Sequence, residues 1–492
     1  MNLSQEDFRR SRKLLRVGLV TSIMAMLVLY SGCRSVYSGP LDTRHESPMD
    51  NTLQIPELLT PTRTDSGERY DLYAQEGTTE FMSGVETSTW GYNGSYLGPT
   101  LRVTRGDDIH VRVHNELDEK TTLHWHGAEL PGPADGGPHQ VIASGGSRDI
   151  RWTVDQPAAT LWYHPHTHGR TGFQVYQGLS GLLLVEDHET PAEVPSQYGV
   201  NDIPLIVQDR AFRRNGEFQF RAPSGSMMGV IGDVILVNGT PEPHVEVSHS
   251  RVRFRLLNGS NGRVYNFLFE DSRSFQVIAS DGGFLPRPIQ VAELQLSPGE
   301  RAEIVVSFEP GERVRLQSGD VDMGMGFPLG PGSGEQDYFD ILEVRAADNL
   351  AAVPRLPDRL APDLHELPNP SGLSRRFELG RFATINGRTM DMERIDFSVS
   401  LGDREIWTVR NGTDTYHNFH VHGVQFRILD LDGYPPPPHF AGWKDTVQLK
   451  PGTTARLSLT FKHPADESNP FMYHCHILAH EDAGMMGQFT VR

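Results

Sequence analysis

The sequence predicts an all-β protein built as three consecutive β-sandwich domains. Three observations carry the prediction. The 492 residues include 49 Gly and 34 Pro, a frequency of turn formers that suits many short strands. Apolar and polar residues alternate over short stretches, the period of a half-buried strand. One strand-and-turn pattern occurs three times, and at roughly 150 residues per domain the length also suggests about three units.

The first copy opens at Asn93-Gly94, continues through the alternating Leu101–Gly106 and Ile109–Val113, and closes at Asn115. The second has Asn238-Gly239, His244–Val247, Val252–Leu256 and Asn258. The third has Asn386-Gly387, Phe397–Ser400, Glu405–Val409 and Asn411. A later strand follows a turn in each copy, at Gly146-Ser147, Pro298-Gly299 and Pro451-Gly452. The expected domains are 51–190, 195–345 and 375–492. Between the last two, residues 346–374 hold Pro354, Pro357, Pro362, Pro368 and Pro370 and read as an extended linker.

Residues 1–33 read as an export signal. Arg9, Arg10, Arg12, Lys13 and Arg16 precede an apolar run from Val17 to Tyr30, shorter than the roughly 20 residues that span a bilayer. Leu29-Tyr30-Ser31-Gly32-Cys33 is similar to a bacterial lipoprotein cleavage box, with Tyr30 a departure, so a lipid anchor on Cys33 is expected and 34–50 reads as a polar tether. Arg9-Arg10 hints at twin-arginine export. The expected location is exported, periplasmic or lipid-anchored at the cell envelope. A net charge of −18 argues against a nucleic-acid partner and favours cationic or neutral ones.

Four short segments carry the chemistry: His124-Trp125-His126, His164-Pro165-His166-Thr167-His168, His417-Asn418-Phe419-His420-Val421-His422 and His474-Cys475-His476-Ile477-Leu478-Ala479-His480. Side chains at i and i+2 share one face of a strand, so each His-x-His pair aims two imidazoles at one place. Two pairs lie in the first domain and two in the third, and in both domains the first pair starts nine residues after the closing Asn. Face to face, they place eight imidazoles between two sandwiches. The second domain has Asn266-Phe267-Leu268 at the comparable place and reads as a spacer without ligands.

Cys475 lies between two of these histidines and must point to the opposite face. There it can join His417 and His480, with Met485 ten residues on. Two His, one thiolate and a weak axial Met form the ligand set of a blue-copper electron-transfer site. Zinc fits any one cluster but not a lone Cys with an axial-type Met beside eight further histidines. His168 falls outside the pairing and reads as structural. Met323, Met325 and Met486 read as packing, and Trp125 and Tyr163 as wall.

These segments closely resemble the motifs of multicopper oxidases, and the chain from about residue 50 onward resembles the three-domain bacterial branch of laccases, cuprous oxidases and bilirubin oxidases. The resemblance implies three cupredoxin-like Greek-key sandwiches and four copper ions. Type 1 copper falls on His417, Cys475, His480 and Met485. Type 2 copper falls on His124 and His420, and the type 3 pair on His126, His164, His166, His422, His474 and His476. Asp135 and Glu481 match positions implicated in proton delivery. Asn418 stands where the family usually has Pro, and Ala479 where related members often have Glu. The Met-rich insertion of cuprous oxidases is not matched in the 320–370 region.

The expected activity couples one-electron oxidation of a small reducing substrate, a phenol, aromatic amine or low-valent metal ion, to four-electron reduction of dioxygen to water. One chain suffices to build the site, so a monomer is expected. Two alternatives stand beside this: a copper nitrite reductase, which has no use for the type 3 histidines, and a copper-free periplasmic scaffold of the same fold.

Overall fold

Three Asn-Gly turns start three similar units for a physical reason. Asn93, Asn238 and Asn386 adopt φ of 58°, 51° and 53°, a left-handed conformation that Asn tolerates better than most residues. Each side chain then closes the same two bonds. Its oxygen accepts from the backbone N–H of Tyr73, Ile206 or Glu378, and its amide donates to the carbonyl of Asp71, Pro204 or Arg376. The closing residues Asn115, Asn258 and Asn411 are equally alike. Their amides donate to Glu119 and Ile142, to Arg263 and Leu296, and to Thr415 and Leu449.

The computed structural model describes residues 40–64, 67–220, 229–326, 333–361 and 373–492. The export segment, Cys33 and residues 34–39 of the expected tether lie outside the described residues. Among those described, strands dominate, and helices are short turns such as Thr171–Gln177 and Leu478–Asp482. Two sheets pack face to face in each of three sandwiches, as the alternation requires. In the first, one sheet runs in the order Leu101–Thr104, Gly181–Glu186, Ala159–His164, His124–His126. In the third, one sheet runs Phe397–Val399, Met486–Val491, Phe471–His474, His417–Val421, Thr446–Leu449. All four histidine segments therefore sit on neighbouring strands. His124 pairs with His164 across one ladder, and His420 with His474 across the other.

Each sandwich has its own apolar core, centred on residues such as Trp125 and Leu161, Phe254 and Phe267, and Trp407 and Phe419. A buried charged layer joins the first two. Arg255 pairs with Asp202 and Glu303, and Glu303 also accepts from Thr160 of the first sandwich at 2.6 Å.

Two stretches differ from expectation. Residues 346–351, expected to begin the linker, instead finish the strand Phe339–Ala351, paired with Pro243–His249 as far as His249 and Ala351. The backbone donors here are intact until Pro354, so the ladder continues. Residues 40–50, expected as a tether, are docked on the second sandwich. Leu41 N–H donates to Asp337, Thr43 N–H to the Tyr338 carbonyl, and Met49 is buried. Asn51–Thr52 then covers the open edge of Pro243–His249.

Candidate metal centre

Ladder register brings the last two segments together. The strand Phe471–His474 ends at His474, and the chain turns at once into Cys475. The thiol is fully buried, with Sγ 3.5 Å from His417 Nδ1 and 3.5 Å from His480 Nδ1. His480 rides on the short helix Leu478–Asp482, and Gly484, at φ 96°, turns the chain back so that the Met485 carbonyl accepts from Cys475 N–H. Met485 is fully buried in the same cluster as Cys475 and Ile477. Burial pushes the thiol up to about 12, against the pull of backbone donors on Ile477 and Asn418. Such a thiol keeps its proton until a cation takes the proton's place.

The remaining eight imidazoles converge between the first and third sandwiches. His474 Nε2 lies 3.2 Å from His166 Nε2 and 3.1 Å from His422 Nε2. The rings of His126, His164 and His476 form a second group, with centroids 4.8 Å apart for 126 and 476 and 5.3 Å for 164 and 476. His124 and His420 sit between, 5.9 Å apart. All eight are buried. Burial, reinforced by neighbouring imidazoles, holds His126, His164, His166, His422, His474 and His476 well below the ordinary histidine range. Neutral rings are the ligating form.

The outer nitrogens are anchored and the inner ones are not. His124, His164 and His420 give Nδ1 to the carbonyls of Asp135, Pro165 and Asp445, at 2.9, 2.7 and 2.8 Å. His126 is reversed, with Nε2 2.9 Å from Asp445 Oδ1. Among the described residues, His124 Nε2, His126 Nδ1, His164 Nε2, His420 Nε2 and both nitrogens of His476 are buried without a hydrogen-bond partner. Buried polar atoms without partners are rare, and so many converging on one place fit metal ions.

Two carboxylates predicted from sequence touch this cluster. Asp135 Oδ2 is 2.9 Å from His422 Nδ1. Its loop needs Gly136, at φ 80°, because a Cβ there would sit 1.6 Å from the Leu123 carbonyl oxygen. Glu481 lies 3.5 Å from His166 Nδ1 and 3.3 Å from His474 Nδ1. Burial, then the neighbouring Asp482, raises its pKa well above the usual carboxylate range. His168 is exposed and apart from the cluster. Met325 packs by accepting Tyr416 N–H at 3.4 Å, and Trp162 stacks on His164.

Asp445 escaped the sequence reading. It accepts from Thr446 Oγ1 and meets His126, while Arg301 of the second sandwich grips both its oxygens at 2.8 and 2.6 Å. Burial works against its charge, but Arg301 and His126 outweigh it and hold its pKa well below the ordinary value. The one available signal was Lys444-Asp445, two adjacent charges at the start of the strand Thr446–Leu449. Gly299 of the second sandwich also abuts the cluster, and a Cβ there would meet His476 and His126 at 3.1 and 3.2 Å. The second sandwich thus does more than space the others.

Three β-sandwiches enclosing a His/Cys pocket and an eight-imidazole pocket define the cupredoxin-like architecture of copper oxidases. Multicopper oxidase family profiles match residues 73–190, 212–314 and 361–492, and the chain belongs to the multicopper oxidase family. It is 38% identical over 450 residues to the multicopper oxidase mco of Staphylococcus epidermidis, covering 90% of this chain and 92% of that one. It is 39% identical over 445 residues to the cell division protein FtsP of Shigella dysenteriae, covering 89% and 92%. The solved structure of a laccase from Pediococcus acidilactici superposes with a TM-score of 0.81 at 37% identity, covering 90% of this chain and 94% of that one.

Proposed function

We propose that this oxidoreductase is a four-copper oxidase that takes single electrons from a small reducing substrate and delivers four of them, with four protons, to dioxygen. Copper, when bound, supplies one-electron acceptance beside Cys475 and dioxygen reduction among the eight histidines. The residues proposed to hold it are His417, Cys475, His480 and Met485 for type 1, His124 and His420 for type 2, and His126, His164, His166, His422, His474 and His476 for the type 3 pair.

The observation that carries this reading is the placement of Cys475. Its thiol faces His417 and His480, while its two peptide neighbours, His474 and His476, belong to the other cluster. Consecutive Cα atoms are about 3.8 Å apart, so the two pockets are wired by a single peptide unit on either side. His417 and His480 present the ring edges nearest the surface, being 4% and 7% exposed, and are the entry for a donor. Burial, then Asp482, raises the Glu481 pKa well above the usual carboxylate range, which favours a proton beside His166 and His474, and Asp135 Oδ2 lies 2.9 Å from His422 Nδ1.

The donor is a phenol, an aromatic amine or a low-valent metal ion. All eight histidines come from one chain, which supports a monomer of three domains, the first at 51–190, the second from 195 through the strand that ends at Ala351, and the third at 375–492. The basic, apolar and Cys33-terminated N-terminus supports export, with a lipid anchor at the envelope. The similarity to proteins named for cell division motivates one alternative, a copper-free scaffold.

Metal analysis of copper-reconstituted protein separates the two, with about four ions per chain for the oxidase and none for the scaffold. Oxygen consumption across phenolic, non-phenolic and metal-ion donors then tests the reaction, and nitrite consumption tests a nitrite reductase. Cys475→Ser is expected to abolish the blue absorption and turnover. A Ser variant that stays blue and active sinks the assignment.

A further inference from the structure

Two features that the copper reading leaves unused meet beside His417. The first is a hairpin tip. Ser374–Gly380 pairs with Thr384–Ile385, and Arg381, Phe382 and Ala383 make the turn. Phe382 and Ala383 take φ of 60° and 53°, two left-handed residues in a row and neither of them glycine. A bulky residue in that region is an outlier, and such strain concentrates at functional sites. Phe382 gains no packing from it, being 93% exposed. The tip is held in place, since Arg381 is ion-paired with Asp414 and its carbonyl accepts from Thr384 Oγ1 at 3.0 Å. Asp414 is followed by Thr415, whose Oγ1 lies 3.2 Å from His417 Nε2. The exposed ring therefore stands on the rim of the proposed donor entry.

The second feature is the docked N-terminal segment. Leu41 N–H donates to Asp337 Oδ1 at 2.9 Å, and Asp42 pairs with Tyr338 in a parallel bridge. A short run of contacts leads from there to the same rim. Asp337 N–H donates to the Gly334 carbonyl, Glu335 Oε1 accepts from Met325 N–H at 3.2 Å, and Met325 Sδ accepts from Tyr416 N–H at 3.4 Å. Tyr416 immediately precedes His417. Seven residues separate Cys33 from Leu41, and eight Cα steps of about 3.6 Å reach at most about 29 Å. A lipid on Cys33 thus keeps this rim close to the bilayer.

We propose that the hairpin tip docks on a lipid surface, Phe382 entering the bilayer to which Cys33 anchors the chain, and that the donor at His417 is a hydroquinone carried in that bilayer. The proposal rests on the copper and lipid-anchor readings above. A second membrane signal converts a weak lipid hold into a stable one, and an apolar ring at the acyl boundary supplies it. The Arg381–Asp414 pair leaves the tip without net charge, which suits a zwitterionic surface for a chain of net charge −18. A long-tailed hydroquinone is a phenol that stays in the lipid and gives its electrons singly. Each loses two electrons and two protons and becomes a quinone. Two of them supply the four electrons and four protons that turn one dioxygen into two waters.

The test uses the copper-loaded full chain, lipidated on Cys33, in phosphatidylcholine vesicles. Phe382→Trp is expected to lose the fluorescence of its added indole when the acyl chains carry bromine, which quenches only near contact. Emission equal to that in unbrominated vesicles overturns the docking.

The second readout is anaerobic bleaching of the blue band by a long-tailed hydroquinone in the vesicles, set against a short, water-soluble one. Inserting about twenty Gly and Ser residues within 34–39 takes the tether from seven residues to about 27. An effective concentration that falls as the −3/2 power of length then drops about eightfold, and bleaching by the long-tailed donor is expected to slow by that factor. Bleaching by the soluble donor, which needs no tether, is expected to stay within about twofold of wild type. Equal rates for both tethers with the long-tailed donor, or equal slowing with both donors, overturns the proposal. A chain whose mass shows no lipid on Cys33 overturns the anchor reading, and one that binds copper with no blue band overturns the copper reading, each taking this inference with it.

Discussion

Replacing Asp445 by Asn isolates what the charged partner of the imidazole cluster contributes. The carboxylate is fully buried and receives five donors. Oδ1 takes His126 Nε2, Arg301 Nη1 and Thr446 Oγ1 at 2.9, 2.8 and 2.9 Å. Oδ2 takes Arg301 Nη2 and Gln425 Nε2 at 2.6 and 3.0 Å. An Asn of the same shape keeps one acceptor and turns the other into a donor, facing Arg301 or Gln425. It also leaves the buried Arg301 charge without its bidentate partner, a change that costs about 3–5 kcal/mol. Arg301 keeps the carbonyls of Gly299, Thr160 and Asp281, which places the expected loss near about 3 kcal/mol, the lower end of that range.

The assay is thermal unfolding of the copper-free protein, read as a midpoint because three sandwiches need not unfold as one unit. At about 2–4 °C per kcal/mol for a cooperative unit of 150–250 residues, the midpoint falls about 6–12 °C. Copper retention during dialysis against a chelator is read alongside. Loss of the group that orients His126 is expected to weaken metal binding about 10–100-fold. An Asn variant that melts within 2 °C of wild type, in roughly the resolution of the assay, and keeps all its copper would refute the reasoning.

Two further substitutions probe the scaffold. Gly136→Ala drives a Cβ into the Leu123 carbonyl at a left-handed φ, so a loss of about 3 kcal/mol or more is expected, with Asp135 displaced from His422; an unchanged melting midpoint counts against it. For Asp202, burial alone would raise the pKa, but Arg255 and Arg253 outweigh it and lower it. Its contribution is therefore present above the unfolded value of about 3.9 and lost as pH falls through the lowered folded value. Asp202→Asn is expected to cost about 3–5 kcal/mol near neutrality and to flatten the acid limb of the stability–pH curve. An acid limb parallel to that of wild type argues against the assignment.

The histidine segments were legible because their meaning is local. A two-residue period fixes which side chains share a face, and Cys475 between two histidines must oppose them whatever the rest of the chain does. The Asn-Gly turns were legible for the same reason, since a left-handed Asn closes its own hydrogen bonds within the unit. Asp135 and Glu481 were found through resemblance, their chemistry depending on which imidazoles stand 3 Å away.

Asp445, Arg301 and Gly299 could not be read in this way. Each has a decisive partner more than 140 residues distant along the chain, as with His126 and Asp445 or Arg301 and Asp445. The strand ending at Ala351 and the docked residues 40–50 belong with them, because a neighbouring edge, not their own composition, decided their place. Periodicity along the chain determined which histidines share a face and the three sandwiches. Packing among the sandwiches decided what holds those side chains still, because an ion pair or a close approach is set by distance in space, which sequence separation does not encode.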